Sequence, residues 1–370
     1  MNIGIFTLAG TTNYGGALQT FALSEYLKFK GHNVEIVIIR SEERTSPLRR
    51  FVGILTTYTL KEMFALFFSD RIWKKRKKHL MDTNEITAVF NQFYKQNLHF
   101  TQPVPLKELP KFVNRYDVLI TGSDQVWTDV YSKTLYYFFD SLQDFSGKRI
   151  SYAACSAHSK AAIYNRAKLK KLFLRFDAIS VRDEVTAKLV QHYCTRPVPI
   201  VADPTLLYDF EHTQESFMQQ QKYIFCYILG EEPKGGGHIE AIKKIKNHVG
   251  NIKVIAINRT NIDYSSYFDE ERNEASPMEW VSLIRNASFI YTNSFHALLF
   301  ALRFHKPFLT YYTEVIRASR LLALRDYYGL GDNIAQSLTT WKYQPVDWNS
   351  FDKKKEALQA KSMDFLEQNL

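Results

Sequence analysis

Cysteine is scarce in this chain: 370 residues contain three, Cys155, Cys194 and Cys226, widely spaced and without a CxxC pair. An odd, scattered set excludes a disulfide framework and a structural zinc site, and makes the cytoplasm the expected compartment. Glycine and proline are modest at 15 and 11 residues, which excludes collagen-like and low-complexity chains. No uncharged apolar run approaches the ~18 residues of a membrane span. The opening MNIGIFTLAG has no basic stretch ahead of its apolar run, so a secretory signal is not expected. HExxH, GxSxG, GxGxxG, a Walker loop and an EF-hand loop are all missing. Metal catalysis, a serine triad and a dinucleotide or P-loop site therefore lack support, and no metal or resident cofactor is expected.

What the chain does have is a globular composition, 45% hydrophobic and 23% charged, rich in aromatics at 15%. Its length suits two domains. The net charge is +10, and between Pro47 and Leu80 nine Lys or Arg outnumber two Asp or Glu, so +7 of it sits in 34 residues. There Leu48–Phe51, Ile54–Leu55, Met63–Phe68 and Ile72–Trp73 interleave with Arg49, Arg50, Lys61, Arg71 and the run Lys74–Lys78. No nucleic-acid motif accompanies this charge, so nucleic acid is not an expected partner. Two readings stand: an interfacial segment on an anionic membrane leaflet, peripheral at its inner face, or a helical flap packing its aromatics on the protein.

Strands and helices alternate. Asn2 to Leu8 is a strand, a small-residue turn follows, Ala17 to Lys30 has helical spacing, and Val34 to Ile39 is a strand apolar on both faces, as buried parallel strands are. Residues 41 to 100 interrupt this rhythm and are expected to be helical. Strands resume at Asp117–Ile120, Arg149–Ala154, Ala178–Val181 and Val198–Val201, with a helix at Glu184–Tyr193. A second series has strands at Tyr223–Leu229, Lys253–Ile257, Phe289–Thr292 and Pro307–Thr310 and helices at Gly237–Val249, Pro277–Asn286 and Ser294–Arg303. A tail helix runs from a Ser350 cap to Asn369. The expected fold is α/β: two doubly wound domains, at 1–205 and 222–345, with a hinge near 203–221, an insertion at about 41–100 and a C-terminal helix at 350–370.

Ligands of such folds lie at the carboxyl ends of the strands. The turn with Asn13, Gly15 and Gly16 opens a helix and can bring backbone N–H groups to an anion or a sugar, or is simply a tight βα turn. Gly122, Ser123 and Asp124 follow a strand in the same way. Asn293 or Ser294 caps a helix whose first turn holds His296, beside unpaired N–H groups. A catalytic histidine there needs an anionic neighbour to carry a proton; the alternative is a packed histidine between domains. Arg182 and Arg259, at strand ends, suit a carboxylate or phosphate. Arg182 could equally pair with Asp183 or Asp203. Arg317 and Arg320 share a helix face, which suits phosphate or solvent.

Taken together, GTTNYGGALQTFAL, YDVLITGSDQVW, ISYAA, ISVRDEVTAKL, VADPTLL, SPMEWVSLIRNASFIYTNSFHALLFAL and IRASRLLALRDYYGL resemble the polysaccharide pyruvyl transferase family, in the family's order from about residue 3 to 330. The resemblance implies two facing Rossmann-like domains, similar to the two-domain B-type glycosyltransferase fold. It implies an enzyme that moves the pyruvyl group of phosphoenolpyruvate onto two hydroxyls of a glycan sugar, as a ketal, and releases phosphate. The partners implied are phosphoenolpyruvate and a sugar or glycan acceptor, lipid-linked acceptors included. His296 matches the histidine at the phosphoenolpyruvate site, Asn13 to Gly16 the N-terminal turn, Gly122 to Asp124 the turn after the DVLI strand, and Arg182 the arginine of SVRD. Better-studied branches carry an arginine shortly before that histidine. Here Ser294-Phe295-His296-Ala297 has none, and Arg259, Arg317 and Arg320 are candidates to replace it. On this reading His296 is the acid, Arg182 and Arg259 grip the anion, and Asp124 accepts or hydrogen-bonds the sugar hydroxyl proton. A nucleotide-sugar glycosyltransferase and a non-catalytic glycan-binding relative are the rival readings.

Overall fold

The computed structural model describes residues 1–40, 46–58, 83–128, 132, 135–210, 221–230, 237–260, 262–312, 315–339 and 341–370, without the side chains of 315–317. Two parallel sheets organise them. The first has strands β1 (Asn2–Phe6), β2 (Asn33–Ile36), β5 (Val118–Thr121), β6 (Lys148–Ala154) and β7 (Ala178–Val181), in the order β2-β1-β5-β6-β7. The second has β8 (Tyr223–Leu229), β9 (Lys253–Arg259), β10 (Glu270–Glu271), β11 (Phe289–Thr292), β12 (Phe308–Tyr311) and β13 (Ile334–Ala335), in the order β10-β9-β8-β11-β12-β13. Strands β1, β5, β8 and β11 are almost wholly buried, which is why they are continuous apolar runs. In each sheet the strand order reverses once, between β1 and β5 and between β8 and β11. The loops at those reversals diverge and leave a crevice.

Helix Tyr14–Phe29 is buried on nearly every side because it lies between the two sheets' helices. It starts earlier than its periodicity suggests. The Asn13 side chain accepts from the Gly16 N–H at 3.0 Å, so Gly15 and Gly16 belong to the first helical turn rather than to a preceding loop. On its far side Tyr14 stacks on Trp280, with centroids 5.4 Å apart, and its hydroxyl donates to the Ala275 carbonyl at 2.7 Å. These contacts, and those with helices Pro277–Asn286 and Phe295–Arg303, join the two halves. An aromatic pair of this kind adds about 0.5–1.5 kcal/mol beyond its buried area.

Several sequence expectations change. The chain leaves the first sheet after Ile36, and β3 (Ile39–Arg40) pairs with β4 (Val104–Pro105) in a separate two-stranded ladder. Val198–Val201 is not a strand; it makes one bridge, Val181 to Ile200. Residues 41–100 are helical at Pro47–Thr57 and Asn84–Asn97, and most of the basic stretch, including Lys61, Met63–Phe68 and Arg71–Lys78, lies outside the described residues. So does 211–220, most of the expected hinge. The tail helix runs Trp348–Asn369 and is capped by Asp347, whose carboxylate accepts from the Ser350 N–H at 3.0 Å, so Ser350 is not the cap. It packs back on the first half: the Ser362 hydroxyl accepts from the Ala202 N–H at 2.8 Å, and Lys148 Nζ donates to the Asn369 carbonyl at 3.0 Å.

Candidate active site

The crevice between the sheets gathers residues from both halves. Asn13–Gly16 follows β1, Gly122–Asp124 follows β5, Arg182 follows β7 and Asp203 caps the short turn Pro204–Leu206. From the second half come Arg259 at the end of β9, Asn293–His296 after β11, and Arg320 on helix Val315–Tyr328.

Much of the polar chemistry holds these turns in shape. Asn293 locks the end of β11 to the end of β8, accepting from the Leu229 N–H at 2.9 Å and donating to its carbonyl at 2.7 Å. Ser294 caps helix Phe295–Arg303, accepting from the Ala297 N–H. The buried Ser123 hydroxyl donates to the Ala153 carbonyl at 3.2 Å. Gln19 ties two turns together: it donates to the Thr7 hydroxyl at 2.9 Å and accepts from the Ser123 N–H at 3.3 Å. Gly122 has φ +122°, and a Cβ there would lie 2.0 Å from the Tyr152 carbonyl oxygen, so only glycine fits. Asp124 has φ 68°, a left-handed conformation that Asp tolerates.

At the floor lies a buried charge cluster. Arg182 donates to Asp203 Oδ2 at 2.6 Å and to Asp124 Oδ1 at 2.8 Å. This is the ion-pair alternative for Arg182, and the side chain is only 4% exposed. Burial pushes both carboxyls upward, but nearby cations outweigh it. His296 and Arg182 hold Asp203 well below the ordinary carboxylate range, and Arg182, His296 and Arg320 hold Asp124 below it. Burial pulls the Arg182 guanidinium downward, but Cys155, Asp124 and Asp203 together outweigh it and hold it above its already high value. Cys155, itself pushed up to about 12 chiefly by burial, donates its S–H to Asp183.

His296 sits on this cluster, 6% exposed. Its Nε2 lies 3.5 Å from Asp203 Oδ2 and has no hydrogen-bond partner among the described residues. A buried ring nitrogen left in that state beside a carboxylate marks a place for a ligand atom. The other edge of the ring lies on Gly15, where a Cβ would come within 2.1 Å of Nδ1. Gly15 is therefore small so that the imidazole can reach the first turn of the opposite helix.

Two further cations come from the second half. Arg320 Nη1 lies 3.5 Å from Asp124 Oδ1, and Arg259 Nη2 donates to the Thr12 hydroxyl at 3.2 Å. Phe295 provides one ring for two guanidiniums, with Arg182 at 4.6 Å and Arg320 at 5.5 Å from its centroid. Arg317 lies on the same helix, but its side chain is outside the described residues. Sequence reasoning named Asp203 only as a partner for Arg182 and missed Phe295. The signal for Asp203 was its place after a strand-like run at VADPTLL; Phe295 had none. No group of His, Cys, Asp or Glu among the described residues could hold a metal ion.

Comparison with solved structures finds the same kind of overall fold in other proteins. The chain is similar to UDP-GlcNAc 2-epimerase from Neisseria meningitidis, at 11% identity, TM-score 0.50, and 99% coverage of each chain. It is also similar to the Anabaena protein HepE, solved with UDP and glucose, at 9% identity, TM-score 0.48 and full coverage of both chains. A third similar structure is the glycotransferase of kitacinnamycin, at 11% identity and TM-score 0.48, covering 100% of this chain and 99% of that one. At these identities the likeness is one of fold. No curated protein matches the chain. The sequence profile of the family described as Polysaccharide pyruvyl transferase matches residues 13–314, a span that contains the Asn13 cap, the Arg182 cluster and His296. The chain belongs to the polysaccharide pyruvyl transferase family, and is a transferase of polysaccharide biosynthesis.

Proposed function

We propose that the protein transfers the pyruvyl group of phosphoenolpyruvate to two hydroxyls of a glycan sugar, forming a ketal and releasing phosphate. The observation that carries this reading is the buried His296–Asp203 pair, with an unpartnered ring nitrogen, beside two arginines from the second half. The reaction adds a proton to the methylene carbon of phosphoenolpyruvate and leaves a cationic carbon. One sugar hydroxyl bonds to that carbon, the C–O bond to phosphate breaks, and a second hydroxyl closes the ring. Of the two hydroxyl protons, one is balanced by the new methyl hydrogen and the other leaves with phosphate. His296 supplies the proton to carbon, and Asp203 is the anion beside it. Arg182 and its two carboxylates carry no net positive charge, so Arg182 positions Asp124 and Asp203, while Arg259 and Arg320 hold the substrate's carboxylate and phosphate. Asp124, fully charged and paired, is suited to accept a hydrogen bond from the sugar hydroxyl.

The test is phosphate release from phosphoenolpyruvate plus glycan acceptor, with mass spectrometry of the acceptor. A pyruvyl mass increment that requires His296 supports the reading. Transfer of a sugar from a nucleotide sugar, with no use of phosphoenolpyruvate, overturns it.

We also propose that the chain works at the cytoplasmic face of an anionic membrane, where a lipid-linked acceptor would lie. On helix Pro47–Thr57, Leu48, Phe51 and Leu55 are 73%, 60% and 49% exposed on one stripe, and Arg50 is exposed on the same helix. Arg49 anchors the opposite side, donating to Asn165 at 2.9 Å and lying 4.0 Å from the Tyr164 ring centroid. An apolar stripe with cations is the pattern of an interfacial helix. No helix among the described residues is long and apolar enough to cross a membrane. Flotation with vesicles containing phosphatidylserine, lost in Phe51→Glu and with zwitterionic vesicles, is expected; equal flotation on both vesicle types refutes it.

A further inference from the structure

Beside the charged cluster lies a second cavity of a different chemical character. It holds about 290 Å³ and opens in the first half, next to the β1 and β5 turns. Leu8, Gln125, Thr128, Ser132, Tyr136 and Tyr137 line it, and the rest of its wall is apolar. No Asp, Glu, Lys or Arg among the described residues lines it. That contrasts with the neighbouring floor, where Arg182, Asp124 and Asp203 are in contact. Gln125 directly follows Asp124 in sequence, so the cavity and the cluster share one loop.

The aromatic wall is held in place before any ligand arrives. Trp127 Nε1 donates to the Tyr137 carbonyl at 3.1 Å, and the Tyr137 hydroxyl donates to the Thr7 carbonyl at 3.3 Å. Tyr136 and Tyr137 pack on each other, with centroids 4.7 Å apart. Asp140 accepts from the Leu135 N–H at 3.1 Å and closes the loop behind them. Within the wall, Thr128 Oγ1 is buried and has no hydrogen-bond partner among the described residues. Leaving such a group unmet is costly, so a hydroxyl that persists there is suited to a ligand's polar atom.

We infer that this cavity is the acceptor subsite and binds one uncharged pyranose ring of the acceptor glycan. The inference rests on the pyruvyl-transfer reading for the word acceptor, but the binding claim stands by itself. The volume is at the low end of the ~300–1,000 Å³ typical of ligand pockets, which suits a single ring rather than a nucleotide sugar. Tyrosine faces match the C–H face of a sugar. Gln125, Thr128 and Ser132 offer neutral donors and acceptors for its hydroxyls. The described part of the wall carries no charge and offers no grip on phosphate or carboxylate, which leaves phosphoenolpyruvate to the arginines. The ring bound here presents its hydroxyls toward Asp124, one residue from Gln125.

Saturation-transfer NMR on the full chain tests this, with methyl glycosides of glucose, galactose and mannose and their 2-acetamido counterparts as probes. At least one glycoside should bind. Its affinity should fall about 3–10-fold in Thr128→Val, the loss of one neutral hydrogen bond, and further in Tyr136→Ala. Thr128→Val removes only an unmet hydroxyl, so its melting temperature should not fall, and it keeps the test valid if Tyr136→Ala misfolds. Under turnover, Thr128→Val should raise the KM for the acceptor and leave the KM for phosphoenolpyruvate unchanged. Binding by no glycoside, or undiminished binding in Thr128→Val and Tyr136→Ala, overturns the inference. Glycoside binding that depends on these residues without any pyruvyl transfer would sink the catalytic reading and leave the sugar site standing. Transfer with an unaltered acceptor KM in the variants would do the reverse.

Discussion

Replacing Gly15 by alanine probes where His296 sits without touching any charged group. A Cβ on Gly15 falls 2.1 Å from His296 Nδ1, 2.4 Å from Cγ and 2.8 Å from Cε1. Non-bonded contact needs about 3.5 Å, so the ring must retreat by about 1.4 Å. It has little room, because it is buried and lies edge-on to Phe295 at 5.2 Å, with Nε2 facing Asp203. In an unobstructed helix Gly→Ala stabilises by about 0.5–1 kcal/mol. Overpacking a filled site costs about 1–3 kcal/mol, so the net effect should be destabilising by about 0.5–2 kcal/mol. A displacement of about 1 Å at a reacting group costs on the order of 100-fold in rate. Thermal melts should therefore show a drop of a few degrees, and phosphate release should fall about 100-fold. Gly16→Ala is the control: its Cβ meets nothing closer than the Leu8 carbonyl at 3.2 Å, so it should be much milder. If Gly15→Ala gains the ordinary helix increment and keeps full turnover, the His296 ring is not seated on this turn and the site as described is wrong.

Three further outcomes are expected. His296→Ala should reduce phosphate release from phosphoenolpyruvate by at least about 100-fold while the protein stays folded by circular dichroism; wild-type release would exclude it as the acid. Arg182→Met leaves Asp124 and Asp203 buried without their shared cation and should destabilise by about 3–5 kcal/mol in denaturant titration, whereas an exposed pair would cost under ~1 kcal/mol. Asp124 and Asp203 are both held below the ordinary carboxylate value, so the unfolded chain binds more protons than the folded one in acid. Their stabilisation is present in full above about pH 5 and drains as pH falls through about 4 and below. A melting temperature that declines no more steeply in this window for wild type than for Asp203→Asn would contradict that.

The longer elements were legible because their determinants are local. Glu184–Tyr193 and Pro277–Asn286 start after Asp183 and Ser276, whose side chains accept the first free N–H groups. Gly237–Val249 was also legible from its spacing. The two-residue strands β3, β4, β10 and β13 were missed, since so short a segment is a strand only through its partner. The start of the first helix was misplaced for a related reason. Glycines read as loop until the Asn13 cap, a bond between two particular atoms, shows them inside the helix.

The site divides in the same way. Residue type and position at strand ends mark His296, Asp124, Arg182, Arg259 and the glycine turns in the sequence alone. The roles of the arginines could not be read there. Arg182 and Asp203 are 21 residues apart and Arg182 and Asp124 are 58 apart, and nothing local chooses between an ion pair and an open anion site. Burial chooses, because a guanidinium removed from water must find carboxylates, and the parallel sheet brings two to it. The amino-acid sequence by itself determined the α/β class, the family and the loops that carry chemistry, since periodicity, caps and turn residues act over a few positions. Only the tertiary structure decided which arginine is spent holding the floor together, which reach the crevice from the other half, and why residue 15 has to be glycine. Those depend on distances and desolvation between segments far apart in the chain.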